Sequence, residues 1–200
     1  MRIGRPAVLG LALLALLIVP VARHALEASM WRHMMLQFPA WMAVGALLVA
    51  GLPASARGRV ARWNAHGIAG LVTVAVVLAL LMVPRVLDLA LQRPLVEVIK
   101  LAALLVAGAA LALSWQRAGL VLQFFFLGNA LPMMVVVGSL YVDSPLRLCN
   151  AYLLDDQVRL GRWLVALAVV LALLWLAWAG WLLVRRDAAV QAPVASEPLH

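Results

Sequence analysis

The sequence predicts an all-α membrane protein, a single polytopic bundle of about six transmembrane helices. Three observations carry that prediction. Apolar residues make up 66% of the chain and charged residues 12%, with a mean hydropathy of +1.04. Soluble domains lie nearer half apolar and a quarter charged. Apolar runs of bilayer-spanning length, ~20 residues each, recur along the chain. Arginines crowd alternate ends of those runs, as the positive-inside rule requires of loops that stay in the cytoplasm.

The predicted spans are 7–22, 30–52, 66–84, 94–114, 119–142 and 161–184. They form one domain, 1–186, followed by a polar, Pro-containing tail, 187–200, expected to be disordered. Arg2 and Arg5 before the first run resemble a signal peptide, but Pro20-Val21-Ala22 ahead of Arg23 is a poor cleavage site, which favours an uncleaved helix. The second span contains Pro39, which removes a backbone hydrogen bond and should kink it. The third leaves the membrane through Met82-Val83-Pro84. The fourth opens Pro94-Leu95-Val96-Glu97-Val98-Ile99-Lys100 and carries a Gly108/Ala112 small-residue pair suited to close helix packing. The fifth carries Asn129, Pro132, Met133, Met134, Gly138 and Tyr141, and the sixth is a Leu/Val/Ala run with Trp163, Trp175, Trp178 and Trp181.

The net charge of +8 is a matter of topology and not of nucleic-acid binding. Arg2 and Arg5, then Arg57, Arg59 and Arg62, then Arg117, then Arg185 and Arg186 mark one side. The other loops mix signs. Both termini are therefore expected in the cytoplasm of a bacterial inner membrane, with the mixed loops facing a periplasm. The basic loop Pro53–Ala65 ends at Trp63 and His66, on the opposite side from His33. The lone Cys149 forbids an intramolecular disulfide.

On a helix, Met30, His33, Met34, Gln37 and Trp41 share one arc of roughly 100°. Two readings of that stripe stay open. Thioether and imidazole together suit Cu(I); equally, Met fills gaps in cores and a buried His finds a backbone partner. His24 and Glu27, three apart, share a face directed away from the stripe, where His24 reads as a solvated loop residue. Glu97 and Lys100 lie near or inside the hydrocarbon. Charges there are paired or functional, and a local i,i+3 ion pair competes evenly with a functional role.

Four stretches, taken in order, resemble the CtaG family of membrane cytochrome c oxidase assembly factors. The family's His-Met-x-Gln-His-Met is met by Ser29, Met30, Arg32, His33 and Met34. Its Trp-His-x-Pro-x-Leu-Tyr-Asp is met by Leu81, Met82, Pro84, Val86, Leu87 and Asp88. Its Glu at the start of the next helix is met by Glu97. Its spaced Pro-Met-Met…Asp-Gln…Gly pattern is met by Pro132, Met133, Met134, Gly138, Pro145, Tyr152, Asp156, Gln157 and Gly161. The similarity covers roughly 24–165. Ser29 and Met82 stand where the family has His, and Pro94 stands near a third missing His.

The resemblance implies a non-enzymatic inner-membrane chaperone that aids copper delivery to a heme–copper oxidase subunit at the periplasmic face. Its Cu(I) ligands would be Met30, His33 and Met34, with Met82 and Met133 or Met134 approaching from other helices. Asp88, Glu97, Asp156 and Gln157 would position helices or the partner. A metal-free scaffold is the first alternative and a small-molecule or ion transporter using Glu97 and Lys100 the second. A b-type heme needs two axial His at one depth, and His33 has no evident mate. No catalytic triad, phosphate loop or closed zinc spacing is present, so an enzyme is not expected. The implied partners are membrane lipid and an oxidase subunit.

Overall fold

The computed structural model describes residues 4–62 and 64–191. Every regular element among them is helical. In chain order these are α1 (Arg5–Ile18), α2 (Pro20–Glu27), α3 (Met30–Ala50), α4 (Ala54–Arg62), α5 (Ile68–Leu81), α6 (Pro84–Gln92), α7 (Pro94–Ser114), α8 (Gly119–Asp143) and α9 (Leu154–Gln191). The chain is an all-α polytopic bundle. Helices α3, α7, α8 and α9 are each long and apolar enough to cross a bilayer, and the bent pairs α1/α2 and α5/α6 raise the number of spans to as many as six.

Two of the predicted spans are broken. α1 and α5 are 14 residues each, about 21 Å at the helical rise and short of a ~30 Å hydrocarbon core. Each then turns sharply, by 73° into α2 and by 77° into α6. Pro20 and Pro84 open the second member of each pair. Proline lacks the N–H that a continuing helix would need and suits the first turn of a new one. α2 and α6 therefore lie across one end of the bundle.

α3 is the centre. It packs on α1 and α7, α7 packs on α5, and α8 and α9 pair as a hairpin whose outward end touches the start of α3. Within its most apolar stretch α3 is 44% buried, against 6% for α8 and 11% for α9. α8 and α9 thus turn most of their surface outward to lipid. Glycine sets the closest approach of the bundle: a Cβ on Gly108 would collide with the Met42 carbonyl, and one on Gly45 with the Leu105 carbonyl. Small residues let the α3 and α7 backbones meet. Ala112, the expected mate of Gly108, is exposed and not at this contact; Gly45 on α3 takes that place.

Three boundaries differ from the sequence reading. The basic segment expected as a loop contains α4, while Trp63 at its edge lies outside the described residues. α9 begins at Leu154, not near 161, with Asp155 and Asp156 in its first turn. Carboxylates are favourable at a helix N-terminus, so the loop between α8 and α9 shrinks to residues 144–153. α9 also runs on to Gln191, so the first part of the expected tail is helix; 192–200 lie outside the described residues, as does Arg2.

Candidate functional site

α3 carries the predicted stripe inward. Met30, His33, Met34, Gln37, Trp41 and Val44 are all buried. Between His33 and Gln37 the helix widens into a π-helical turn, just before Pro39. Such bulges occur where a helix must re-aim side chains, often at functional sites. α3 runs on through Pro39 as one helix.

His33 does not stand alone. Its Nδ1 lies 2.7 Å from the Tyr152 hydroxyl and its Nε2 lies 2.7 Å from Lys100 Nζ. Proton directions follow from the far end. The Tyr152 hydroxyl donates to the Glu27 carbonyl at 2.9 Å. Burial pushes this phenol well above its ordinary pKa, so it keeps the proton it donates. Its oxygen therefore accepts from His33 Nδ1–H, and Nε2 is left as an acceptor. Lys100 donates to it. The result is a one-way chain, Lys100 to His33 to Tyr152 to the Glu27 carbonyl, around a neutral imidazole. Phe38 and Tyr152 meet the imidazole edge-on, with ring centroids 5.7 Å and 6.1 Å away.

Lys100 is fully engaged. Besides His33 it reaches Gln37 Oε1 at 3.4 Å and Glu97 Oε2 at 2.7 Å. The last contact is a charge pairing, since neither Glu97 oxygen has a partner with hydrogen-bond geometry among the described residues. Arg23 on α2 stands 3.9 Å from the other Glu97 oxygen and 2.8 Å from Glu27, whose carboxylate also accepts from Gln37 at 3.4 Å. Two carboxylates and two cations thus alternate from the half-exposed Arg23 down to Lys100, whose side chain is 1% exposed. The sequence places Glu27 on a face directed away from the stripe; the bend into α2 turns it inward to Gln37 and Arg23. His24 is exposed. Beyond Lys100 the core of α3 and α7 is Val44, Leu104 and Ala107, so the polar cluster lies at the end of the bundle that α2 covers.

The other predicted positions fall into two groups. Met82, Met133 and Met134 line one lateral cleft between α5 and α8, whereas the groups that hydrogen-bond to His33 come from α7 and the last loop. Asp88, Asp156 and Gln157 tie segments together. Asp88 accepts from Cys149 Sγ–H at 2.8 Å and from the Asn150 and Ala151 amides at 2.9 and 3.0 Å. Gln157 accepts from the Leu148 amide at 2.8 Å and donates to the Tyr141 carbonyl at 3.2 Å. Asp156 accepts from Ser29 at 3.2 Å. These bonds hold the α8–α9 loop against α6 and the start of α3, which is what places Tyr152 over His33.

No group of three or more His, Cys, Asp or Glu among the described residues could hold a metal ion. The proposed copper set also fits poorly at His33. A neutral imidazole has one lone pair for a metal, and here that nitrogen accepts from a cationic ammonium. Binding Cu(I) there would require Lys100 to leave. Sequence reading missed the link between His33 and Lys100. Its signal was depth: each residue lies within the first two turns of its helix. Tyr152 and Arg23 gave no such signal, because a folded-back loop and a bent helix deliver them.

Comparison of the chain with protein families, with curated proteins and with solved structures gives no match.

Proposed function

We propose that this chain is a non-enzymatic membrane scaffold for assembly of a heme–copper oxidase, working without copper at His33. Two supports converge on that reading. The order of matched motifs resembles the CtaG family, and three of that family's His positions are Ser29, Met82 and the neighbourhood of Pro94. The single observation that carries the metal-free form is Lys100 Nζ at 2.7 Å from His33 Nε2, which occupies the lone pair a metal would need. The buried cluster then has a structural task. It locks α2, α3, α7 and the last loop into one outward surface that an oxidase subunit can meet. The buried apolar residues Val44, Leu104 and Ala107 that follow the cluster inward favour the scaffold over the transporter alternative.

Copper delivery is kept as a second reading by one observation: Met82, Met133 and Met134 share a cleft, and thioethers suit Cu(I). One experiment separates the two. Oxidase content is read from the heme difference spectrum of membranes from cells lacking the chain, then from cells given back wild type or a Met82→Leu/Met133→Leu/Met134→Leu variant. Leu replaces Met at nearly equal volume. A scaffold predicts a low signal that added copper does not restore, and full rescue by the variant. Restoration by copper alone, or failure of the variant only, favours delivery. No change on deletion removes the oxidase assignment.

A further inference from the structure

α5 and α8 touch only lightly, and a furrow runs between them along the lipid-facing side. Its inner part, about 370 Å³, includes Phe126. Its outer part, about 260 Å³, includes Ala79, Ala130 and Met82. Ala75 and Asn129 belong to both parts and form the waist. Asn129 sits near the middle of a 25-residue helix, which is ~15 Å from its inner end and close to the bilayer centre.

The side chain of Asn129 is exposed. Its Nδ2 donates to the Phe125 carbonyl at 2.8 Å, which leaves the second N–H and the Oδ1 without a partner among the described residues. A carboxamide in hydrocarbon with an unmet donor and acceptor is unfavourable. The same group is what holds membrane helices together when a second polar group faces it. A lipid acyl chain would fill the furrow and meet neither atom.

We propose that the furrow takes α8 of a second copy of this chain, with the two Asn129 carboxamides hydrogen-bonded to each other across a twofold axis normal to the membrane. An amide with one donor and one acceptor left is complementary to itself, and a closed twofold interface places a residue against its own counterpart. Ala75 at the waist, with Ala79 and Ala130 in the outer part, allows the close approach that such a pair needs. This inference is independent of the oxidase reading.

Light scattering of the chain in lipid nanodiscs counts chains per particle, and thermal unfolding is followed on the same samples. Wild type and Asn129→Gln are expected as two chains and Asn129→Leu as one, with its unfolding midpoint as a single chain still cooperative. Oxidation in native membranes gives a second reading that needs no extraction. Met133→Cys, one turn from Asn129 on the furrow side, should form a disulfide-linked dimer, and Val121→Cys, on an exposed face, should not. A single chain for wild type together with no Met133→Cys cross-link, whether the furrow then holds lipid or another protein, overturns the proposal. So does a dimer that Asn129→Leu leaves intact.

Discussion

Lys100 Nζ and His33 Nε2 meet at 2.7 Å in the core of a membrane bundle. The two residues come from different helices, α7 and α3, and neither is reached by solvent. A cation placed there needs its charge met, and Glu97 at 2.7 Å meets it. A histidine placed there needs both nitrogens satisfied, and Lys100 and Tyr152 satisfy them. The pair therefore ties the rotation of α3 to that of α7.

The first prediction follows from that coupling. Lys100→Met takes away the nearer cation of the buried Glu97, leaving only Arg23 at 3.9 Å, and leaves the His33 lone pair unmet. Breaking a buried pair from one side costs about 3–5 kcal/mol, and an orphaned acceptor about 1–3 kcal/mol. The double substitution Glu97→Gln/Lys100→Met should recover most of the first loss. Unfolding in mixed detergent measures both. Equal losses for the single and double variants would mean that the ion pair does not shape the bundle.

Tyr152→Phe tests the other end of the chain of donors. It removes the partner of His33 Nδ1 and the bond to the Glu27 carbonyl with almost no change of volume. A loss of about 1–3 kcal/mol is expected, on the scale of an unsatisfied buried group. No loss would mean the loop does not rest on His33.

Cys149 reports on the same loop. Burial, and then the hydrogen bond to Asp88, push its thiol up to about 12, against ~8.5 for a free thiol. A raised pKa means that the neutral thiol favours the fold below about pH 8.5 and that this contribution is lost as pH rises toward 12. The thiolate is the nucleophile, so maleimide labelling at pH 8 should be at least tenfold slower than in the unfolded chain. Asp88→Ala frees the Cys149, Asn150 and Ala151 donors and should speed labelling. Fast labelling of wild type would show that the loop is open.

The six apolar runs and the inward arc of Met30, His33, Met34, Gln37 and Trp41 were legible in the sequence, because period and length alone determine them. The bends at Pro20 and Pro84 were harder. The sequence marks Pro20 and Pro84 as the ends of apolar runs, but the 73° and 77° turns into α2 and α6 depend on how those short helices pack across the bundle end. The Glu97–Lys100 spacing was legible as a local pair. Its extension to His33 was not, since that depends on how two helices rotate and how deep each sits. Tyr152 reached the site through a loop folded by Asp88 and Gln157, and no periodicity encodes a loop fold.

Orientation rests on the arginines. Reporter fusions after Arg186 should read as cytoplasmic and fusions near Asp143 as periplasmic. The reverse would turn the His33 cluster toward the cytoplasm and away from the compartment proposed for assembly.

The central claim is that His33 is held by Lys100 and is not a copper ligand. Cu(I) competition with a chromogenic chelator, on the reduced, detergent-purified protein, tests it most directly. Wild type and a His33→Ala/Met34→Leu variant should leave the chelator with the same amount of copper. A wild type that withholds one equivalent of Cu(I) per chain, lost in the variant, would contradict the account.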